Sequence, residues 1–183
     1  MKTFKRIDNL FQFDEQVYSV NPIFISCNKY WDGGITSNTC LKEKAEFYNL
    51  CHIMSNIIKE IILAFGKVAF VGKKLCENQE IYAHWSDLKS YKLFREITQI
   101  INPKKYYEIT LPEDNDIIDL IVESNFCYFS YISLYLPEIN LIITPSCHTE
   151  VLLYTKQSDK ILDKIRYLVK KHSTEDYKIK IVE

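Results

Sequence analysis

Apolar side chains recur every three or four positions from Leu41 to Phe65, and this pattern constrains the fold more than any other feature of the sequence. The repeat follows the period of an α-helix, and a second row of apolar positions widens the stripe. The stripe consists of Phe47, Leu50, Cys51, Ile53, Met54, Ile57, Ile58, Ile61 and Phe65. It predicts a long, deeply packed helix. Gly66 follows at the position where a left-handed cap commonly ends a helix.

Short runs rich in β-branched and aromatic residues predict strands before and after this helix. The predicted strands are Pro22–Ser26, a strand beginning in Lys67–Val71, Lys105–Leu111, Cys127–Leu136, Leu141–Thr144, Glu150–Thr155 and Tyr177–Val182. The connections at Pro137 and Pro145 are short, and short connections favour antiparallel pairing of consecutive strands. We therefore expect an antiparallel sheet.

Capping signals predict further helices. Ser86-Asp87 is a favourable helix start, and Pro103 would end that helix. Ser158-Asp159 precedes a last amphipathic helix, whose apolar side is Ile161, Leu162, Ile165, Leu168 and Val169. The order of elements predicts an α+β fold in which an antiparallel sheet packs against three to four helices. No repeat or low-complexity segment divides the chain, so residues 1–183 are expected to form a single domain.

The charge balance and the lengths of the apolar runs argue against several classes of protein. The 23 basic residues nearly balance the 24 acidic ones, which gives no support for a nucleic-acid binder or a polybasic membrane protein. Residues 1–13 contain no apolar run of signal-peptide length, and no run approaches the roughly 20 residues needed to span a bilayer. The six cysteines are widely and irregularly spaced, which favours reduced thiols. We expect a cytoplasmic protein with no nucleic-acid or membrane partner.

Residue patterns that would indicate a reaction centre are weak. The four glycines do not form a phosphate-binding loop, and no two cysteines have the spacing of zinc ligands, so neither a cofactor nor a metal is expected. The one candidate is Cys147-His148, with Glu150 on the same side of an extended chain as His148. As a metal site, this segment would need further ligands such as His52 or His84, whereas a Cys147 nucleophile could meet His84 or His172. A small enzyme using Cys147 or His148 is therefore the alternative hypothesis, and a structural subunit is a third.

Acidic residues are concentrated in the middle of the chain, where residues 81–156 hold six basic against ten acidic residues. Pro112 opens a helix that is expected to end near Asn125. Its predicted buried side is formed by Ile117, Leu120 and Ile121. Its acidic residues are Glu113, Asp114, Asp116, Asp119 and Glu123, with no Lys or Arg between them.

Helical geometry places Asp116, Asp119 and Glu123 on one face, because they lie at positions i, i+3 and i+7. The helix dipole explains acids in the first turn, but it does not explain Asp119 and Glu123, whose repulsion costs about a few tenths of a kcal/mol. An ordinary solvated face and a docking surface for a basic partner both fit this pattern. Among the aromatic residues that follow, Tyr131 and Tyr135 are the expected anchors of such a surface.

The region Tyr107–Lys171 resembles in its general character the small bacterial immunity proteins that neutralise toxins delivered between neighbouring cells, and the resemblance is carried especially by residues 111–146, LPEDNDIIDLIVESNFCYFSYISLYLPEINLIITPS. These include the immunity proteins of contact-dependent growth inhibition systems. The resemblance implies an intracellular, non-catalytic protein that binds one cognate toxin domain and blocks its active site or its access to substrate. It carries over no residue roles, because that group contains unrelated folds. The nearly neutral charge departs from immunity proteins that are strongly acidic.

The leading hypothesis from the sequence is a cytoplasmic immunity protein that binds a protein toxin through an acidic, Tyr-rich surface. The expected contacts are Glu113, Asp114, Asp116, Asp119, Glu123, Tyr131 and Tyr135.

Overall fold

Seven strands and three helices form the regular structure of the residues that the computed structural model describes, which are 21–31, 35, 38–74, 107–127, 131–155 and 159–182. The strands are β1 (Ile23–Cys27), β2 (Val68–Lys74), β3 (Tyr107–Thr110), β4 (Tyr131–Leu136), β5 (Leu141–Pro145), β6 (Val151–Tyr154) and β7 (Ile179–Val182). The helices are α1 (Leu41–Ala64), α2 (Asn115–Phe126) and α3 (Asp159–Lys171). A short 3₁₀ turn, Pro137–Ile139, joins β4 to β5.

All seven strands belong to one antiparallel sheet in the order β3-β2-β4-β5-β6-β1-β7. Its centre is a meander of β4, β5 and β6, in which Leu134 pairs with Ile143 and Ile143 with Leu153. The predicted antiparallel sheet and α+β fold class are confirmed. The predicted helix start at Ser86-Asp87 and the predicted cap at Ser158 lie outside the described residues.

The three helices pack on one face of the sheet, because their buried side chains and one alternate set of strand side chains form a single core cluster. Helix α1 lies between α2 and α3 and contacts both of them. It carries much of the core, as its stripe predicted, and its Phe47 meets Trp31 and Phe126 edge-to-face. Among the described residues, no helix is both long and apolar enough to cross a membrane.

Helix α1 ends in a turn that requires positive φ angles, as Gly66 predicted. Gly66 has a φ of 128° and Lys67 one of 68°, and the Lys67 amide donates to the Ile62 carbonyl at 3.0 Å. A Cβ at Gly66 would come within 2.9 Å of the Glu138 side chain. Glycine is therefore suited to this position both by its backbone freedom and by its lack of a side chain.

Helix α2 begins three residues later than expected and is rotated relative to the predicted packing. The Asp114 carboxylate accepts the Thr110 amide at 2.9 Å, so a turn occupies the place of the expected first helical turn. Ile121 is buried as predicted, but Ile117 and Leu120 are only half-buried. The residues that fill the core instead are Ile118, Val122, Ser124, Asn125 and Phe126. Consecutive apolar residues at Ile117–Ile118 and at Leu120–Val122 made the phase of this helix ambiguous in the sequence.

Candidate interaction surface

The outward face of α2 joins acidic and apolar side chains. Asp116 is exposed, and Leu120 and Glu123 are half-buried one and two helical turns farther along the same side. Ile118 and Val122, on the other side of the helix, point into the core. The side that carries Asp116, Leu120 and Glu123 therefore faces away from the sheet. Two of the predicted acids are thus brought together, and Leu120 lies between them. We call Asp116, Leu120 and Glu123, together with Glu113, the α2 face.

Asp119 belongs to the boundary between α1 and α2. Its carboxylate forms an ion pair with the Lys59 ammonium of α1 at 2.5 Å. The Lys59 side chain is only 13% exposed, whereas that of Asp119 is 46% exposed. The ion pair reduces the net negative charge that Asp119 contributes to the surface. Its direct role is to hold α2 against α1.

Glu113 and Asp114 precede α2 and differ in their surroundings. Glu113 is exposed and extends the acidic surface beyond the start of the helix. Asp114 is half-buried, and its carboxylate accepts the Thr110 amide. Asp114 therefore shapes the turn between β3 and α2, and its carboxylate is less available to a partner than that of Glu113.

The structure does not bring Tyr135 into the α2 face. Tyr135 lies on the sheet face opposite the helices, where its ring packs beside Ile142, Leu152 and Tyr154. Its hydroxyl donates to the Asn140 side-chain oxygen at 2.9 Å, and burial raises the pKa of the phenol. The sheet thus separates this ring from α2. Tyr131 is the first residue of β4, and its side chain lies outside the described residues.

Asn125 fastens the end of α2 to the sheet, and sequence reasoning missed it. The side chain is buried, and its amide donates to the Ile132 carbonyl at 2.8 Å and to the Pro145 carbonyl at 2.9 Å. Its oxygen accepts the Ile132 amide at 3.2 Å. The signal in the sequence was a polar residue in helical register with Ile118, Ile121 and Val122. Read as a buried residue, Asn125 would have indicated the correct phase of α2 and the outward position of Leu120.

The Cys147-His148 pair lies in the turn between β5 and β6, and its side chains have different surroundings. Cys147 is buried, while the exposed His148 ring has its Nδ1 at 2.8 Å from the Tyr30 hydroxyl. The carboxylate of Glu150 accepts the Ser26 hydroxyl at 2.5 Å. The imidazole of His148 thus lies against Tyr30 and the carboxylate of Glu150 against Ser26, on β1.

The other histidines considered for a reaction centre lie elsewhere. On α1, His52 has its Nε2 at 3.1 Å from the Asn56 amide nitrogen, and His172 follows α3 with its Nε2 at 3.2 Å from Glu60. His84 lies outside the described residues. Within the described ranges, no group of three or more His, Cys, Asp or Glu side chains is placed to hold a metal ion.

Two thiols near α2 are chemically protected. Burial raises the pKa of Cys51 well above its ordinary value, and it raises the pKa of Cys127 to about 12. Both thiols are therefore protonated at neutral pH, and a protonated thiol is a poor nucleophile. Cys51 on α1 and Cys127 after α2 serve as small core residues in this structure.

No protein-family model, no curated protein and no solved structure matches this chain. The strongest functional indication is therefore the geometry of the α2 face. Exposed Glu113 lies just before the start of α2, and exposed Asp116 lies just after it. Together with half-buried Leu120 and the attachment of α2 to the sheet, these carboxylates form a surface suited to binding.

Proposed function

We propose that this chain is a non-catalytic, cytoplasmic immunity protein that binds a cognate toxin domain through the α2 face. Binding there would block the active site of the toxin or its access to substrate. The observation that supports the proposal is the juxtaposition of exposed Asp116 with half-buried Leu120 on a helix whose other side is firmly packed. Protein interfaces combine an apolar centre with a polar rim in this way.

The charge of the α2 face suggests the chemistry of the partner. Glu113 and Asp116 are exposed acids, whereas the charge of Asp119 is largely met by Lys59. A partner surface carrying Lys or Arg around a shallow apolar site would be complementary. Charges at the rim of an interface mainly accelerate association and select the partner, so salt should slow the binding.

The predicted contacts divide into three groups in this proposal. Glu113, Asp116 and Glu123 remain contacts, and Leu120 joins them. Asp114 and Asp119 act as positioning residues that set the start and the packing of α2. Tyr131 and Tyr135 stay predictions, and for Tyr135 a contact would require the partner to reach the opposite face of the sheet.

The test is co-expression of this chain with the product of the neighbouring reading frame, followed by measurement of cell survival and of binding kinetics. Asp116→Lys should slow association about tenfold or more, because the reversed charge repels a basic partner. Leu120→Asp should speed dissociation. Glu175→Lys makes the same charge change at an exposed acid outside α2 and should leave binding within about twofold.

Two results would contradict the proposal. One is unchanged affinity for both Asp116→Lys and Leu120→Asp in proteins that unfold like the wild type. The other is a neighbouring product that does not impair growth in the absence of this chain.

A further inference from the structure

The basic side of α3 is a second surface that the proposed function does not use. Tyr167 is 70% exposed on this helix. Lys164 and Lys170 lie three residues away from it and Lys171 four residues away, so all three border the ring on the helix surface. Exposed Asp163, four residues before Tyr167, is paired with Arg166. All three lysines are exposed. We call Tyr167, Lys164, Lys170 and Lys171 the α3 face.

Internal contacts account for part of the α3 face. The Lys164 ammonium donates to the Ala64 carbonyl at 2.9 Å, and Lys171 pairs with Glu60 at 2.7 Å. Lysines in the last turn also match the negative end of the helix dipole. None of these contacts explains why a large aromatic ring stands exposed among them. Tyr is enriched where protein surfaces meet, which points to a partner.

The chemistry of the molecule favours an acidic protein surface as that partner. The sequence has a pI of about 6.4 and an acidic helix, whereas nucleic-acid-binding domains are usually strongly basic. Insertion into a lipid surface would need the apolar side of α3, but Ile165 and Val169 are buried in the core. An acidic surface is present on the chain itself, at the α2 face.

The two faces cannot meet within one molecule, because α1 lies between α2 and α3. We infer that this chain associates with itself, the α3 face of one copy docking on the α2 face of another around Tyr167. Such a contact is head-to-tail and leaves one face of each kind open at the ends, so it can continue beyond a dimer. A toxin bound at the α2 face would displace the second copy, but self-association does not require that a toxin exists.

The first test measures the mass of the purified chain by light scattering at about 0.01 M and about 1 M NaCl, where the Debye length is roughly 30 Å and roughly 3 Å. We expect a mass above that of the monomer at low salt and the monomer at high salt. Tyr167→Ala and Lys170→Glu should each give a monomer at low salt. Lys42→Glu, at an exposed lysine at the start of α1, should associate like the wild type.

The second test mixes two variants that are each monomeric. Lys170→Glu retains an intact α2 face and Asp116→Lys retains an intact α3 face, so the mixture should regain association at low salt. A wild-type monomer at low salt would overturn the inference, as would association that persists in both variants or a mixture that stays monomeric. The inference would also be overturned if the wild type stayed monomeric and bound an oligonucleotide in a gel-shift assay while Lys170→Glu did not. That result would indicate a nucleic-acid partner.

Discussion

Helices α2 and α3 lie on either side of α1, yet they are attached to the molecule in different ways. Helix α2 buries a nearly continuous apolar side and is bonded to two strands by Asn125. Helix α3 buries only Ile165 and Val169 fully, and two of its lysines contact α1 at exposed positions. The acidic helix is thus anchored more deeply in the core than the basic one. A firmly held helix loses little conformational entropy on binding, which suits α2 to recognition.

The largest difference between the helices should appear when a core side chain is shortened. Phe126→Ala should reduce the free energy of unfolding by about 3–5 kcal/mol, because the ring is fully buried beside Phe47. Ile165→Ala on α3 should fall toward the lower end of the roughly 2–5 kcal/mol typical of such changes. Urea unfolding of both variants gives the two values. An equal or larger loss at Ile165 would contradict the deeper anchoring of α2.

Loss of the Asn125 side chain should be the next most damaging change. Asn125→Ala leaves two carbonyls and one amide without their partner, and each buried unsatisfied group costs about 1–3 kcal/mol before relaxation. We expect a total loss of roughly 2–4 kcal/mol in urea unfolding. Asn49→Ala, on the exposed side of α1, should change stability by less than about 0.5 kcal/mol. A loss at Asn125 no greater than at Asn49 would show that the attachment of α2 does not need this side chain.

The contact between α3 and α1 should show a smaller, pH-dependent effect. The hydrogen bond from Lys171 lowers the pKa of Glu60 from its ordinary value of 4.5, and His172 adds to the shift. A carboxyl with a lowered folded pKa stabilises the fold above its unfolded pKa, and this stabilisation is lost as the pH falls through the folded pKa.

Glu60→Gln should therefore lower the free energy of unfolding by roughly 0.2–1 kcal/mol at neutral pH. This difference in unfolding free energy should shrink steadily as the pH is lowered below the ordinary carboxyl pKa of 4.5. Urea titrations of the variant and the wild type at several pH values measure it. A deficit that is constant with pH would contradict the Glu60–Lys171 contact.

The smallest effect on stability is expected for Asp116 on the α2 face, and the neighbouring Lys59–Asp119 ion pair serves as its comparison. Asp116→Asn should leave the unfolding free energy within about 0.5 kcal/mol of the wild type, because Asp116 is exposed. Lys59→Met should cost up to about 1 kcal/mol, since it removes the ion pair with Asp119. Thermal unfolding of the two variants at low salt compares them. A loss of unfolding free energy well above about 0.5 kcal/mol for Asp116→Asn would mean that this acid is a structural residue.

Much of the fold could be predicted because its signals are local. The period of α1, the break at Gly66 and the strands of the β4–β6 meander each depend on residues close together in the chain. The boundaries of α2 were less predictable, because Asp114 turns back to the Thr110 amide and delays the helix. The packing phase of α2 required knowledge of which side met the strands, and Ile117 and Ile118 are equally apolar.

The sequence was sufficient to locate the candidate surface, but it did not show the role of each residue in it. Its acidic residues are adjacent in the chain, so their concentration was visible. Their separate roles were not, since Asp119 meets a lysine 60 positions away. Tyr135 was grouped with the acids because of its place in the sequence, while strand alternation turned its ring to the other side of the sheet.

The sequence by itself determined the kinds of elements, the antiparallel character of the sheet and the acidic identity of one helix, since these depend on periodicity and composition over short stretches. Only the tertiary structure decided which acids remain at the surface, which side of α2 is outward and that α1 separates an acidic helix from a basic one. Those outcomes depend on contacts between residues far apart in the chain, and such contacts leave no local pattern.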